Sequence, residues 1–289
     1  MTAENNSYGK KDAHMNHSPI DIIDAPYGAH ERQRFDLLIP ADYENRHGLI
    51  LFIHGGAWIG GDKAGYREEL EVWREKGYAA ASINYHYIAP DAPMGTLVSD
   101  MILALYAIRR KAAVHGADLC RVLLTGISAG GHLSLLYAYS MADISPITPA
   151  CVVDYSGPTL LDDPDLLYGT PKRYPPEEKW IDLYSNLTGI PFSTEPGADL
   201  ERNLVELRRW SPVTYVTKNS PPTIIVHGQR DDVVPYSNAT ALRDALEKNG
   251  VEYVFMPMPD MGHSLESPVY GESRLLFAAY AKRFLDGEK

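Results

Sequence analysis

The segment Val122-Leu123-Leu124-Thr125-Gly126-Ile127-Ser128-Ala129-Gly130-Gly131 decides the fold, because it carries a serine from an apolar run into a helical pattern. Residues 122–124 are typical of a buried strand, and residues 131–136 continue as an apolar helix. Glycines two residues before and two residues after Ser128 permit a sharp, strained turn that directs the hydroxyl out of the sheet. The segment predicts a nucleophile elbow, with Ser128 as the attacking group.

Further apolar runs before and after this segment leave room for helices between them. These runs are 49–53, 79–83, 152–153 and 223–226. Apolar residues also recur every three or four positions over 97–112, 242–246 and 275–284, which predicts helices. Strands that alternate with helices of this length form a mostly parallel sheet with helices on both faces. The sequence therefore predicts an α/β fold that binds its ligand at the carboxyl ends of the strands.

Three other segments complete this organisation. Residues 1–20 are polar and predict a flexible N-terminal arm, which leaves 21–289 as one domain. Residues 34–40 alternate as an edge strand would. Residues 158–212 are rich in prolines and aromatic residues, carry helical patches around 180–187 and 200–207, and are too long for a loop. We interpret them as a cap inserted over the strand ends, where it shapes the pocket. The alternative is a surface elaboration remote from the site.

Composition and charge limit the classes of partner. The 289 residues are 45% hydrophobic and 22% charged, as in an ordinary soluble globular protein. No apolar stretch approaches the roughly 18 residues of a membrane span, and the N-terminus lacks the apolar core of a secretory signal. A net charge of −11 without a basic patch disfavours nucleic acid as the partner, and none is expected. A small neutral or cationic molecule is the expected ligand.

The two cysteines, Cys120 and Cys151, fit reduced thiols better than a disulfide framework. Together with the polar N-terminus, they predict a cytoplasmic protein. A homodimer is allowed by the sequence but not specified by it.

A serine hydroxyl is a weak nucleophile, so it needs a base within hydrogen-bond reach and a carboxylate that orients the base. Of the ten histidines, His263 combines a late position, a loop after a predicted strand and a neighbouring glycine. His54, His132 and His227 are expected to pack or hydrogen-bond locally. The adjacent Asp231 and Asp232 follow another strand, and only one of them can point inward. The predicted triad is thus Ser128, an acid at 231 or 232, and His263.

Attack on a carbonyl also requires hydrogen-bond donors that stabilise the oxyanion. The motif His54-Gly55-Gly56-Ala57-Trp58 follows the predicted strand 49–53, where backbone N–H groups can face the nucleophile. Its glycines permit close approach of the backbone. The alternative is a tight turn in which Trp58 is only a packing anchor.

Taken together, these motifs resemble those of a known family. From His54 to His263 the chain resembles α/β-hydrolases of the hormone-sensitive-lipase-like and related esterase group, which includes carboxylesterases, acetyl and feruloyl esterases, and kynurenine formamidases. The motif after strand 49–53 is similar to their His-Gly-Gly-x-Trp, and residues 84–91 are similar to their Tyr-Arg-Leu-Ala-Pro-Glu stretch. His86 replaces the usual arginine, which puts an ion pair with an acid such as Asp100 in doubt.

The resemblance implies an α/β-hydrolase fold and assigns roles to residues of the motifs. The pattern His-Gly-x-x-Asp-x-x-Val-Pro places the triad acid at Asp231 and leaves Asp232 to cap the turn. The oxyanion hole is expected from the N–H groups of Gly56, Ala57 and Ala129. The candidate substrate contacts are Gly55, Trp58 and Tyr184.

The function expected from this resemblance is hydrolysis of small carboxylic esters, with short acyl groups, through an acyl-enzyme. No cofactor or metal is expected for this chemistry, since the acids and histidines lack zinc-like spacing. Two alternatives stay open at this point. An arylformamidase would use the same triad on an N-formyl amide, and a non-catalytic binding module would retain only the fold.

Overall fold

A computed structural model of the protein describes residues 18–41, 43, 48–169, 177–193, 197–264 and 267–286. Of the predicted N-terminal arm, residues 1–17 lie outside the described residues. The described strands are β1 (Ile20–Pro26), β2 (Arg34–Ile39), β3 (Gly48–Ile53), β4 (Ala79–Ile83), β5 (Arg121–Ile127), β6 (Thr148–Tyr155), β7 (Thr223–Gly228) and β8 (Tyr253–Met258). The described α-helices are α1 (Arg67–Glu75), α2 (Met94–Val114), α3 (Ala129–Ser140), α4 (Glu177–Thr188), α5 (Ala198–Arg209), α6 (Tyr236–Asn249) and α7 (Ser267–Leu285).

The strands form one eight-stranded sheet in the order β1-β2-β4-β3-β5-β6-β7-β8. Strand β2 runs antiparallel to β1 and β4, and the remaining neighbours pair in parallel. In the parallel part, Ile53 at the end of β3 is paired with Gly126 near the end of β5. The loops that follow β3, β5, β7 and β8 therefore leave the sheet at the same edge, which is where ligands bind in such sheets.

Helices cover both faces of the sheet. On one face, α2, α3 and α6 pack on the strands through residues such as Met101, Leu135 and Leu242. On the other face, α1 and α7 pack through Trp73 and Phe277. The α/β architecture predicted from the apolar runs is confirmed, and the helical patterns at 97–112, 242–246 and 275–284 lie within α2, α6 and α7.

The prediction that residues 34–40 form an edge strand is wrong. Strand β2 pairs on both sides, and β1 is the edge strand next to it. The polar residue that suggested exposure, Asp36, is buried, and its Oδ1 lies 2.8 Å from Nζ of the buried Lys63. A buried carboxylate is tolerated when it is paired and hydrogen-bonded, so polar alternation here does not mark a solvent face.

The segment between β6 and β7 contains α4 and α5, as its helical patches predicted. Trp180 and Tyr184 of α4 stack with ring centroids 4.7 Å apart, and Tyr184 stacks on Phe192 at 5.1 Å. These aromatic side chains give the segment its own packing and join it to the core below. Its role as a cap that shapes a pocket stays a prediction.

None of the helices in the described ranges combines the length and apolar character that crossing a membrane requires.

Candidate active site

Ser128 lies at a strained turn between β5 and α3. Its backbone has φ +56° and ψ −124°, a conformation that residues with a side chain rarely adopt. The turn is held because the Ser128 N–H donates to the carbonyl of Tyr155 at 2.8 Å. A Cβ added at Gly126 or Gly130 would lie 2.4 or 2.0 Å from the Ile53 carbonyl oxygen. Glycine is therefore required on both sides of the serine.

A cavity of about 480 Å³ opens at this turn. It brings together residues from the loops after β3, β5, β7 and β8. Its lining residues are Gly55, Gly56, Ala57, Gly61, Ile127, Ser128, Val233, His263 and Ser264. The predicted nucleophile, base and oxyanion loop thus face one common space, although they are far apart in the sequence.

His263 is bonded to the first of the two adjacent aspartates. Its Nδ1 lies 2.9 Å from Oδ2 of Asp231. The other oxygen of Asp231 accepts the backbone N–H groups of Val233 at 2.9 Å and Val234 at 2.8 Å. A neutral imidazole that donates from Nδ1 carries its lone pair on Nε2. His263 therefore has the tautomer of a general base, with its accepting nitrogen on the side away from Asp231.

The Asp231 carboxylate is fully buried yet remains ionised. Burial by itself would raise its pKa, but hydrogen bonds from His227 and His263 outweigh this effect and hold the pKa well below its usual range. Its side chain is 0% exposed, so the charge acts on its partners with little screening by water. Asp231 can therefore orient His263 and stabilise a positive charge on it.

The loop after β3 lines the cavity with Gly55, Gly56 and Ala57. Gly56, Ala57 and Trp58 all have positive φ, at 112°, 49° and 59°. The loop is closed by Ile59 N–H, which donates to the Gly56 carbonyl at 3.0 Å. Among the described residues, no acceptor is bonded to the N–H groups of Gly56 and Ala57. Ala129 begins α3, and the first N–H groups of a helix have no partner within it.

Trp58 anchors this loop from below. Its indole is 4% exposed, and Nε1 donates to Nδ1 of His132 at 3.2 Å. The other ring nitrogen of His132 donates to the carbonyl of Trp210 at 2.8 Å. Burial lowers the pKa of His132 to about 4, so the ring is neutral and can accept from Trp58. These contacts place Trp58 in the packing role, away from the cavity lining.

The other two predicted substrate contacts lie in different surroundings. Tyr184 is 3% exposed within the aromatic stack of α4 and is absent from the described lining of the cavity. Gly55 does line the cavity, and a Cβ added there would lie 2.8 Å from the Ile127 carbonyl oxygen. Of the three, Gly55 is the residue that the structure places beside Ser128.

His54 is bonded locally, as predicted. Its Nδ1 donates to the Gly55 carbonyl at 2.9 Å, and its Nε2 lies 3.2 Å from Nη2 of Arg32. The ring stacks on Tyr85 with centroids 4.1 Å apart. Burial lowers the pKa of His54 to about 4, which leaves a neutral ring that accepts from Arg32. The effect is to brace the start of the oxyanion loop.

His227 has a contact that sequence reasoning missed. Its Nε2 lies 3.0 Å from the Val234 carbonyl and 3.3 Å from Oδ2 of Asp231. Asp231 is therefore shared by two histidines. The only signal in the sequence is the four-residue spacing from His227 to Asp231, which does not by itself show that the turn brings them together.

The segment after β4 is bonded to Asp100, although it carries His86 where the esterase group usually has an arginine. His86 reaches Oδ2 of Asp100 with both its ring Nδ1 and its backbone N–H, each at 2.7 Å. The other oxygen of Asp100 accepts from Gln33 Nε2 at 2.9 Å. The contact that the His86 substitution put in doubt is thus made by the histidine itself.

A family model named BD-FAE matches residues 35–246, most of the chain. The chain belongs to the BD-FAE family. The match includes the loop after β3, Ser128 and Asp231, whereas His263 lies beyond its end. The resemblance to the esterase group of α/β-hydrolases that the motifs suggested is confirmed.

The individual relatives that the chain resembles include esterases. The esterase LipC of Mycobacterium tuberculosis is 27% identical over 221 residues, which are 75% of this chain and 53% of LipC. The chain thus spans about half the length of the curated relatives that it matches. Among solved structures, esterase B from Lactobacillus rhamnosis superposes with a TM-score of 0.72 at 22% identity, covering 93% of this chain and 88% of that one.

A second solved structure is Thermogutta terrifontis esterase 2 phosphorylated by paraoxon. It has a TM-score of 0.67 and 20% identity, and it covers 93% of this chain and 95% of that chain. Together with esterase B it confirms the predicted α/β-hydrolase fold for this BD-FAE protein.

Proposed function

We propose that this chain is a serine carboxylesterase that hydrolyses small-molecule carboxylic esters. The observation that carries the proposal is the shared cavity, which is lined by Ser128, His263 and the loop of Gly56 and Ala57. The names of the relatives support it, since LipC is an esterase and the two solved structures are esterases. They do not favour a formamidase or a non-catalytic module.

In the proposed first step, His263 Nε2 removes the proton of the Ser128 hydroxyl, and the oxygen attacks the acyl carbon of the ester. Asp231 stabilises the imidazolium that forms, because its carboxylate is ionised and bonded to Nδ1. The imidazolium then gives its proton to the departing alcohol. Water, activated by the same histidine, releases the acid from Ser128.

The negative oxygen of the tetrahedral intermediate is assigned to the N–H groups of Gly56, Ala57 and Ala129. Fixed donors in a site that excludes water stabilise developing charge without reorganisation. The hydrogen bonds of Trp58 and His54 hold this loop in its positive-φ conformation. This assignment explains why the loop is braced by two neutral histidines.

The test is Ser128→Ala, assayed with p-nitrophenyl acetate. Loss of the nucleophile should lower kcat by roughly 10⁴ to 10⁶, while the melting temperature changes little. Incubation with paraoxon should add one phosphoryl group to a peptide that contains Ser128 in the wild type only. Esterase activity that survives in the variant would refute the proposal. A series of p-nitrophenyl esters of increasing acyl length should show the highest kcat/KM for short acyl groups.

The proposed chemistry uses side chains and backbone groups alone. In the parts of the chain that the structure describes, no three His, Cys, Asp or Glu side chains form a group that could hold a metal ion. We also propose a cytoplasmic location, which is supported by the free thiols of Cys120 and Cys151. A homodimer stays a prediction, to be checked by light scattering.

A further inference from the structure

A second histidine lies behind the proposed triad. His227, on β7, is 0% exposed, and its Nε2 is within reach of two acceptors, Asp231 Oδ2 and the Val234 carbonyl. A carbonyl and an ionised carboxylate can only accept hydrogen bonds. The Nε2 of His227 must therefore carry a proton, which fixes the tautomer of a neutral ring and leaves Nδ1 as its accepting nitrogen.

A second buried carboxylate, that of Asp154, lies in the same region of the sheet. Asp154 on β6 pairs in register with Ile225, two residues before His227, so that both side chains lie on the same face of the sheet. Asp154 Oδ1 accepts the Gly157 N–H at 3.1 Å. Within the described chain, Asp154 Oδ2 and His227 Nδ1 have no hydrogen-bond partner, although both are buried. The two atoms are therefore not bonded to each other, and Asp154 acts on His227 only through its charge.

We propose that His227 is a positioning residue for the Asp231–His263 pair, because its Nε2–H lies between Oδ2 of Asp231 and the Val234 carbonyl and holds the turn that carries the acid. This inference rests on the proposed function. His227 does not touch the cavity lining, so it acts through Asp231 and not on the substrate.

The effect on Asp231 follows from the number of donors around it. Two backbone N–H groups hold Oδ1, while Oδ2 is divided between His227 at 3.3 Å and His263 at 2.9 Å. With donors on both oxygens the carboxylate cannot rotate away from His263. The donor from His227 also takes up part of the charge on Oδ2, which limits how strongly Asp231 favours an imidazolium at His263.

Four elements packed around His227 contribute the groups that face it. They are Asp231 in the loop after β7, Asp154 on β6, the Tyr236 ring at the start of α6 with its centroid 6.0 Å away, and His263 beyond Asp231. Burial raises the pKa of Asp154 to about 7, although the nearby His227 opposes that shift.

The experiment compares His227→Gln with His227→Leu. The glutamine amide can still donate to Asp231, whereas leucine keeps the bulk without a donor. We expect kcat to fall about tenfold to a hundredfold in His227→Leu, as for other residues that orient a catalytic group, with KM unchanged. The acid limb of the kcat/KM profile should move to higher pH, because Asp231 then acts on His263 alone. His227→Gln should restore both values to near those of the wild type.

Each variant is normalised by the fraction of Ser128 that paraoxon labels, and its folding is checked by the melting temperature. Equal activity and equal pH profiles in wild type and His227→Leu would overturn the inference, as would an equal loss in both variants. Inactivity of the wild type would instead count against the proposed function.

A measurement on the wild type keeps the inference testable if His227→Leu does not fold. Nitrogen-15 spectra of the histidine rings, assigned with His227→Gln, should show a proton on Nε2 of His227. An unprotonated Nε2 would contradict the proposal.

Discussion

At the scale of single residues, the Asp231 carboxylate connects more of the site than any other side chain described. It accepts two backbone N–H groups on one oxygen and meets two histidines with the other. Its low pKa shows that these bonds more than offset the cost of burying the charge. Replacing Asp231 should therefore lower the activity strongly, even though its side chain does not line the cavity.

Asp231→Asn tests this role. An asparagine keeps the size of the side chain, but it can present its amide N–H₂ to His263, which then adopts the wrong tautomer. We expect kcat to fall by about 10⁴, as for the equivalent change in other triads. Asp232→Asn is the matched control and should leave kcat within about twofold, as surface changes usually do. Comparable losses in both variants would contradict the assignment of the acid.

The roles of these residues could be predicted from the sequence to different extents. Ser128 and His263 could be predicted because glycines and strand ends mark them locally. Asp231 could be separated from Asp232 only by resemblance to a motif. The contact of His227 with Asp231 depends on how the turn after β7 folds back on the strand, and no local pattern reports that. The burial of Trp58 and Tyr184 likewise depends on neighbours distant in the chain.

At the scale of elements, the junction of β5 and α3 sets the position of the nucleophile. The helix begins directly after Ser128 and passes so close to β3 that a Cβ at Gly130 would lie 2.0 Å from the Ile53 carbonyl oxygen. Since backbone atoms cannot yield as a flexible side chain can, any larger residue must displace α3 or β3.

Gly130→Ala should therefore lower both stability and activity. We expect a loss of roughly 1–3 kcal/mol, the range for overpacking in a dense core, and a larger relative loss of kcat because Ser128 and Ala129 move with α3. Gly65→Ala is the control, since a Cβ there meets nothing within 4 Å and the backbone φ is ordinary. Urea unfolding and ester turnover give the two values. Wild-type behaviour of Gly130→Ala would show that the junction is looser than described.

The fully apolar runs were predictable as strands because a parallel sheet buried on both faces needs no alternation. Strand β1 was not predicted, and β2 was predicted as an edge strand because Asp36 gives it the polar pattern of an edge, whereas Lys63 pairs with Asp36 inside the fold. The helices between β6 and β7 could be predicted from helical patterns in the sequence, but their position relative to the cavity could not. In the described chain no lining residue of the cavity comes from 158–212.

At the scale of the whole molecule, buried titratable groups make the free energy of unfolding depend on pH. The pKa of Asp154 rises from 3.8 to about 7 on burial, so the folded state holds a proton that the unfolded chain has released. Stability from this group is thus complete below about pH 4, falls as pH rises to about 7 and stays low above it. His54 and His132 act in the opposite sense, because their pKa values fall from 6.5 to about 4 and folded stability then grows with pH in that window.

Asp154→Asn isolates the contribution of the carboxyl group. The difference in unfolding free energy between the variant and the wild type should shift in favour of the variant from pH 5 to pH 8, by up to about 1.4 kcal/mol per pH unit below pH 7. Chemical denaturation at several pH values measures it, and the histidine contributions cancel in the difference. A difference that is constant with pH would show that Asp154 does not gain its proton in the folded protein.

The sheet order also separates the proposed base from the proposed nucleophile in mechanical terms. Ser128 follows β5 in the middle of the sheet, where the strand is buried between its neighbours. His263 follows β8, an edge strand whose residues are half-buried or exposed. Margins of a sheet detach more easily than its centre. Local unfolding of β8 would move the His263 imidazole away from Ser128 and stop turnover while most of the protein remains folded.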